Sequence, residues 1–181
     1  MTIPLPAPHV GDQDTQINLD ALAGQFPLGP HQAHHQIYPQ ARAYKSTDFS
    51  HNSSGNWLAV TLDAERWDYY PPSGSEQHST SANTSRLTCR VPGLYVIGGG
   101  IQWDTNTTGS RGASIKINAT TYLQIQLAPA AAALHQQVTT LYRLSPGDYV
   151  ELMAFQDSGG TRTVTAAGAY SPEFWFGWIS P

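Results

Sequence analysis

Residues 111–127, RGASIKINATTYLQIQL, carry the pattern that decides the fold of this chain. Apolar and polar side chains alternate in both halves of the stretch, which is typical of β-strands with one buried and one exposed face. The apolar positions are Ala113, Ile115 and Ile117 in the first half and Leu123, Ile125 and Leu127 in the second. Only residues 118–121 separate the two halves, so we expect an antiparallel hairpin of two half-buried strands.

The same period of two recurs from Ala41 to the end of the chain. Turn signals separate the strand candidates, among them Pro-Gly at 92–93 and 146–147 and Gly-Gly at 159–160. Glycine and proline supply 16 and 13 residues, and only 12% of the residues are charged. About ten short strands over roughly 140 residues suit a sandwich of two sheets. The sequence therefore predicts an all-β fold, an antiparallel two-sheet jelly-roll sandwich over residues 41–181.

Residues 1–40 differ from the remainder, because prolines crowd both ends and one helical signal lies between them. The apolar positions that recur at helical spacing are Ile17, Leu19, Leu22 and Phe26. A helix of two or three turns is marginal in isolation, so it must pack on its own domain, on a symmetry mate or on a different protein. The third alternative makes residues 1–40 an anchoring arm, with a short helix and a Pro-rich linker, and residues 41–181 a head domain.

The last predicted strand lies within SPEFWFGWIS at 171–180 and is apolar on both faces. One face carries Phe174, Phe176 and Trp178, and the other carries Trp175, Gly177 and Ile179. A strand of this kind must be covered on both sides. The sandwich core supplies one cover, and a neighbouring subunit, a loop or the N-terminal arm supplies the other. The first of these alternatives makes the four aromatic residues of this strand candidates for a subunit interface.

Four segments in order resemble the globular head of complement C1q, which belongs to the tumour-necrosis-factor-like jelly rolls. They are SRLTCRVPGLYVIGGGIQW at 85–103, RGASIKIN at 111–118, VTTLYRLSPGDYVELMAF at 138–155 and SPEFWFGWIS at 171–180. The resemblance spans residues 41–181 and implies a homotrimer packed around a threefold axis through aromatic surfaces. It thus makes Phe174, Trp175, Phe176 and Trp178 candidates for a trimer interface.

A second resemblance is to jelly-roll domains of bacteriophage virion proteins, including tail fibres and minor tail proteins of phages that infect actinobacteria. It rests on ARAYKSTDFS at 41–50, DAERWD at 63–68, HSTSANTSRLT at 78–88 and the terminal SPEFWFGWI. The opening GDQDTQINLDALAGQFPL at 11–28 is similar to the start of phage tail proteins, in which a short helical peptide docks on the particle. The resemblance implies a virion location, with other virion proteins bound through the arm.

Charge and hydropathy exclude two classes of partner. The formal net charge is −4, and the nine Lys and Arg residues are spread along the chain, so no basic footprint for nucleic acid forms. No apolar run approaches the roughly 20 residues that span a bilayer, so we expect no membrane insertion.

The candidates for catalysis and metal binding are few. Cys89, the single cysteine, lies in a predicted strand and excludes an intrachain disulfide and a cysteine-based zinc site. We expect it to be a buried structural thiol. His31, His34 and His35 could bind zinc or nickel, but no acidic residue or cysteine is nearby in sequence, which favours surface histidines.

Asp63, Glu65 and Asp68 resemble the paired carboxylates of a glycosidase, but solvation at a strand end and loop explains them equally well. We therefore expect no enzyme activity, no cofactor and no metal. Trp67, Tyr69 and Tyr70 precede a Pro-Pro turn and are candidates for binding a sugar or a protein, unless Trp67 belongs to the core and the tyrosines cover it.

The sequence thus favours a non-enzymatic, trimeric virion protein that works through surfaces, with a tail position and host attachment as its first interpretation. A capsid decoration or head-fibre protein and a carbohydrate-binding module are the alternatives. The bound host component would be a surface glycan or a protein.

Overall fold

The computed structural model describes residues 38–52, 54–70, 76–132, 134–168 and 171–181. Within these ranges the chain forms twelve β-strands. They are β1 (Gln40–Tyr44), β2 (Phe49–His51), β3 (Asn56–Ala59), β4 (Ala64–Tyr69), β5 (Arg86–Thr88), β6 (Gly93–Trp103), β7 (Ser110–Ile117), β8 (Thr121–Pro129), β9 (Leu134–Leu144), β10 (Tyr149–Gln156), β11 (Arg162–Val164) and β12 (Glu173–Ser180). The helix predicted around Ile17, Leu19, Leu22 and Phe26 lies outside the described residues.

The strands form two antiparallel sheets, as the alternating pattern predicts. The larger sheet has seven strands in the order β2, β11, β6, β12, β1 and β4, and β9 pairs with β6 as well. The smaller sheet has five strands in the order β3, β10, β7 and β8, and β5 pairs with β10. The prediction of an all-β, two-sheet antiparallel fold is confirmed. The part of the chain described contains no helix with the length and apolar character needed to cross a membrane.

The core lies between the two sheets and is built from the inward side of each strand. Its largest apolar side chains are Trp103, Tyr95, Phe174, Phe176, Leu62, Leu87, Ile97, Ile101, Ile115 and Leu152. Tyr95 and Phe176 contact each other with ring centroids 5.1 Å apart. Alternation along β6 and β12 sends every second residue into this layer, and the residues between them form the outward face of the larger sheet.

The predicted hairpin joins β7 to β8. Asn118 and Ala119 have φ angles of 50° and 56°, and Thr120 N–H donates to the Ile117 carbonyl over 3.0 Å. Two consecutive left-handed residues match the right-handed twist of the flanking strands, which makes this turn a short and well-defined connection.

The predicted burial of β8 is only partly correct. Leu123 packs against the core, but Ile125 and Leu127 are 47% and 58% exposed. The register between β7 and β8 shifts near Leu123, and Ile125 and Leu127 then pair with the outward-facing Ser114 and Gly112. A bulge inserts one extra residue and reverses the alternation beyond it, so the last apolar side chains of β8 turn away from the core.

Candidate functional site

The outward face of the larger sheet carries Trp175, because its neighbours Phe174 and Phe176 point into the core. Backbone pairing places Trp175 in one row with Gly98 on β6 and Thr139 on β9. A Cβ on residue 98 would lie 2.9 Å from Cε2 of Trp175 and 3.0 Å from Oγ1 of Thr139. The indole therefore extends over β6 at a position that has no side chain of its own.

The next row of this face is apolar. It contains Gly177 on β12, Val96 on β6 and Leu141 on β9. Leu141 is 58% exposed and lies on β9, which pairs along its length with β6 on one side. We call this surface the Trp175 face and define it by Arg42, Trp67, Val96, Leu141 and Trp175. A depression of about 290 Å³ lies beside the indole on this face.

A cluster of paired charges borders the Trp175 face. The Glu173 carboxylate accepts hydrogen bonds from Arg42 Nε at 2.7 Å and from Arg66 Nε and Nη2 at 2.9 and 2.8 Å. The hydrogen bond to Glu173 raises the pKa of Arg66 above its ordinary value. Arg42 also lies over the ring of Trp67, with its Cζ 5.5 Å from the ring centroid. The charges at this border thus have partners within the chain.

The four predicted interface residues fall into two groups. Phe174 and Phe176 are 0% and 1% exposed, so the core of a single chain already covers them and a second subunit has nothing of them to cover. Trp178 is half-buried, stacks on Tyr38 with centroids 5.0 Å apart and donates its indole N–H to the Pro92 carbonyl at 3.2 Å. The alternation of β12 separates these side chains from Trp175, which remains the strongest interface candidate of the four.

The predicted binding residues also occupy different environments. Trp67 and Tyr69 pair with the outward-facing Arg42 and Gln40 of β1, so both lie on the outward side of the larger sheet. Tyr69 is exposed, whereas Trp67 and Tyr70 are half-buried. Trp67 does not belong to the buried core, and it shares the Trp175 face. The structure therefore brings one of the predicted sugar-binding residues onto the predicted subunit interface.

Each of the three predicted carboxylates stabilises a local backbone arrangement. Asp63 accepts hydrogen bonds from Lys45 Nζ and from Ser46 N–H, both over 2.7 Å. Partial burial opposes ionisation of Asp63, but these two hydrogen bonds outweigh it and hold the pKa of the carboxyl below its ordinary value.

The other two carboxylates hold residues 76–84 against β4. Glu65 contacts His78 Nδ1 at 2.8 Å. Asp68 accepts hydrogen bonds from the backbone N–H groups of Gln77 and His78 at 2.7 and 2.9 Å, and from the Gln77 side-chain amide at 3.0 Å. Gln77 and His78 are buried. These hydrogen bonds hold the segment 76–84 in place beside the smaller sheet, where it forms a wall.

A depression of about 690 Å³ opens between this wall and the smaller sheet. Arg86 and Thr88 on β5, Tyr149 on β10 and Arg90 just beyond β5 line its other side. The sequence does not indicate this arrangement, because the charged and aromatic residues are far apart along the chain. The pairing of Thr88 with Tyr149 brings them together. The proximity of two arginines within RLTCR is the one local signal that could have indicated it.

Cys89 is fully buried, as the sequence predicts. Its Sγ donates to the Val91 carbonyl at 3.0 Å, and the Tyr95 hydroxyl donates to the same carbonyl at 2.8 Å. Burial raises the pKa of Cys89 and the pKa of Tyr95. The thiol is therefore protonated and shielded, and it lacks the exposure that a nucleophile requires.

The described part of the chain contains no group of three or more His, Cys, Asp or Glu side chains arranged to hold a metal ion. His31, His34 and His35, the candidate metal ligands, lie outside the described residues, so the sequence-based alternatives for them stay open.

Comparison by sequence finds no relative: no protein-family model matches the chain, and no curated protein matches it. Comparison by structure does find similar folds. The chain is similar to the globular domain of zebrafish complement 1qA, with a TM-score of 0.51 and 16% identity over 78% of this chain and 96% of that one.

Two further structures are similar as well. Murine APRIL matches with a TM-score of 0.58 and 8% identity, over 79% of this chain and 100% of its own. The Eiger TNF of S. frugiperda matches with a TM-score of 0.58 and 12% identity, over 80% of this chain and 94% of its own. At these identities the likeness concerns the fold. The described chain therefore has the jelly-roll fold of complement C1q and tumour-necrosis-factor domains.

Proposed function

We propose that residues 38–181 form a non-enzymatic binding domain that assembles as a homotrimer through the Trp175 face. The observation that supports this assembly is the exposure of Leu141 beside Val96 and Trp175 on the outward face of the larger sheet. Apolar surface of this kind marks sites of association in soluble proteins. The jelly-roll families that the sequence resembles pack sheets of this type around a threefold axis. We therefore propose that other copies of this chain cover the Trp175 face.

We further propose that the trimer is a bacteriophage virion protein that attaches the particle to its host. The support is the resemblance of residues 41–50, 63–68 and 78–88 to virion jelly rolls. Residues 1–40 would join the head domain to a tail protein. The surfaces left outside the trimer interface would then contact a glycan or a protein of the host.

Two other functions fit part of these observations. A capsid decoration or head-fibre protein would use the same arm and trimer but would need no site for a host ligand. A carbohydrate-binding module would need such a site and no virion partner. The depression lined by Arg86, Arg90 and Tyr149 favours a function with a ligand over a purely structural one.

The mass of the purified protein in solution tests the assembly. We expect light scattering at micromolar concentration to give three times 19.6 kDa for the wild type. Leu141→Glu should give a monomer, because it places a charge on the centre of the proposed interface.

Leu127→Glu is the matched control, since Leu127 is also a leucine on an outward sheet face and is 58% exposed, as Leu141 is. It should remain a trimer. A wild-type monomer, or equal masses for the two variants, would show that the Trp175 face is not the interface.

Attachment is tested with the full-length protein on host cells. We expect the wild-type protein to bind cell envelopes and to reduce adsorption of the phage that encodes it. Tyr69→Ala tests, by the same measurement, the exposed predicted binding residue that is not among the residues of the Trp175 face. Protein that is trimeric, decorates capsids in labelled electron micrographs and leaves adsorption unchanged would favour the decoration alternative.

A further inference from the structure

The depression on the smaller sheet combines two arginines and one acidic residue with neutral hydrogen-bonding groups. The arginines are Arg86 and Arg90, the acidic residue is Glu76 at the rim, and the neutral groups belong to Tyr149, Thr88, Asn83 and Ser79. Its volume of about 690 Å³ falls within the range of roughly 300–1,000 Å³ that is common for ligand sites. The depression lies on the outward side of β5 and β10 in the smaller sheet, whereas the Trp175 face lies on the larger sheet.

The Arg86 guanidinium is oriented by its neighbours. Its Cζ lies 4.0 Å from the centroid of the Tyr149 ring, a distance at which the cation contacts the ring face. Its Nε is 3.6 Å from Oε1 of Glu151, too far for a hydrogen bond, and the same Oε1 accepts the Ser85 hydroxyl at 2.7 Å. Among the described residues no hydrogen bond is made by the two terminal nitrogens of Arg86, which leaves them available to a ligand.

Arg90 supplies the second cation. Its Nε and Nη2 donate to the carbonyl of Glu76 at 3.0 and 2.7 Å, which fixes the guanidinium plane and leaves Nη1 outside these bonds. Arg90 is thus attached to the segment 76–84. That segment is held by the hydrogen bonds to Asp68, and Thr88 N–H donates to the Gln77 carbonyl at 2.6 Å. A site whose groups are already fixed loses little entropy when it binds a ligand.

We propose that this depression binds an acidic saccharide, with a sugar carboxylate at Arg86 and a further oxygen of the saccharide at Arg90. A planar guanidinium matches the two oxygens of a carboxylate. The hydroxyls of Ser79 and Thr88 and the amide of Asn83 match the hydroxyls of a sugar ring. This inference rests on the proposed function, since it names the ligand class of an attachment domain, a uronate-containing polysaccharide of the host surface.

Binding is measured by calorimetry on the full-length protein with two probes, a glucuronate-containing and a galacturonate-containing tetrasaccharide. Carboxyl-reduced forms of both serve as neutral probes. We expect at least one acidic probe to bind and its reduced form to bind about tenfold more weakly or not at all, because a charge-assisted hydrogen bond is lost. Arg86→Gln should weaken binding of the acidic probe by a similar factor, and Arg90→Gln should weaken it as well.

Arg162→Gln is the matched control. Arg162 also lies 3.6 Å from a single carboxylate, that of Asp104, but on β11 of the larger sheet. It should bind the acidic probe as the wild type does. Absence of binding by both acidic probes, equal binding of acidic and reduced probes, or equal loss in Arg162→Gln and Arg86→Gln would overturn the assignment.

Failure of the saccharide site and failure of the proposed virion function give different results. If wild-type protein and Arg86→Gln attach equally to host cells, attachment is real and uses another surface, so only the saccharide site is wrong. If the acidic probe binds but the protein neither attaches to cells nor occurs in virions, the site stands and the virion function is wrong.

Discussion

The indole of Trp175 lies over Gly98 of the neighbouring strand, so close that a Cβ on residue 98 would come within 2.9 Å of Cε2 and nearer still to Cζ2. On the opposite side of the same strand, a Cβ on Gly99 would meet the ring of Phe174 at 2.9 Å. Two consecutive glycines thus let one aromatic ring rest on each face of β6. The apolar surface of the Trp175 face depends on this absence of side chains.

We expect Gly98→Ala to displace the indole, because the new methyl group has no space between the Trp175 ring and Thr139. Overpacking of this kind costs about 1–3 kcal/mol of folding free energy. The free energy of unfolding in urea and the mass in solution measure the two consequences. Gly100→Ala is the control: its Cβ would have its nearest neighbours at 3.4 Å, a far smaller overlap. Equal stability of the two variants would contradict the close contact.

The fold could be predicted because its signals are local. Alternation in 111–127 and the short turn between its halves specify two strands and their pairing without knowledge of the remaining chain. The exposure of Ile125 and Leu127 could not be predicted in this way, since it depends on a register shift opposite Lys116 that only the paired strand defines. The alternation of β12 predicts two apolar faces, but which face meets the core depends on the second sheet.

The candidate sites were harder, because their residues come from distant parts of the chain. Trp175 is predicted as an interface candidate from the apolar pattern of its own strand. The Arg86 and Tyr149 contact joins two strands that are more than 60 residues apart, and no local pattern indicates it. The spacing of the acidic residues 63, 65 and 68 resembles that of catalytic carboxylates. In the structure, however, these side chains contact residues of neighbouring segments and hold them in place.

Ala119→Gly should stabilise the protein. Ala119 has a φ of 56° at the β7–β8 turn, a left-handed conformation that costs an L-residue with a Cβ roughly 1–2 kcal/mol. Glycine adopts it without that penalty but loses more entropy on folding, so we expect a net gain of about 0.5–1 kcal/mol. Thermal unfolding by calorimetry measures it. Ala128→Gly, in the extended part of β8, should lower stability, and a gain there equal to that of Ala119→Gly would refute the explanation.

His51 should make stability depend on pH. It is fully buried, its Nε2 contacts the Ala154 carbonyl at 3.0 Å, and its Nδ1 has no partner among the described residues. Burial lowers the pKa of His51 below its ordinary 6.5, so the unfolded chain binds its proton at a pH where the folded chain does not. Stability is therefore full above pH 6.5 and falls as the pH drops below it, by at most about 1.4 kcal/mol per pH unit.

Urea unfolding at pH 8, 7, 6 and 5 measures this dependence in the wild type and in His51→Gln, whose amide can keep the hydrogen bond to Ala154. The difference in unfolding free energy between the two should shrink as the pH falls from 7 to 5. A difference that stays constant over this range would mean that His51 does not titrate between the folded and unfolded states.

Removal of residues 1–37 should separate folding from incorporation into the particle. The head domain keeps its first strand in such a variant, and it keeps the ring of Tyr38 on Trp178 and the hydrogen bond from Trp178 N–H to the Pro39 carbonyl at 2.9 Å. We therefore expect an unchanged unfolding midpoint and a trimeric mass. The protein that lacks residues 1–37 should be absent from purified virions when it replaces the full-length chain.

Removal of residues 1–44 is the contrasting variant: it deletes β1 from between β12 and β4 and should prevent folding. A shortened chain lacking only residues 1–37 that enters virions at the normal level would show that the anchor lies within the head domain.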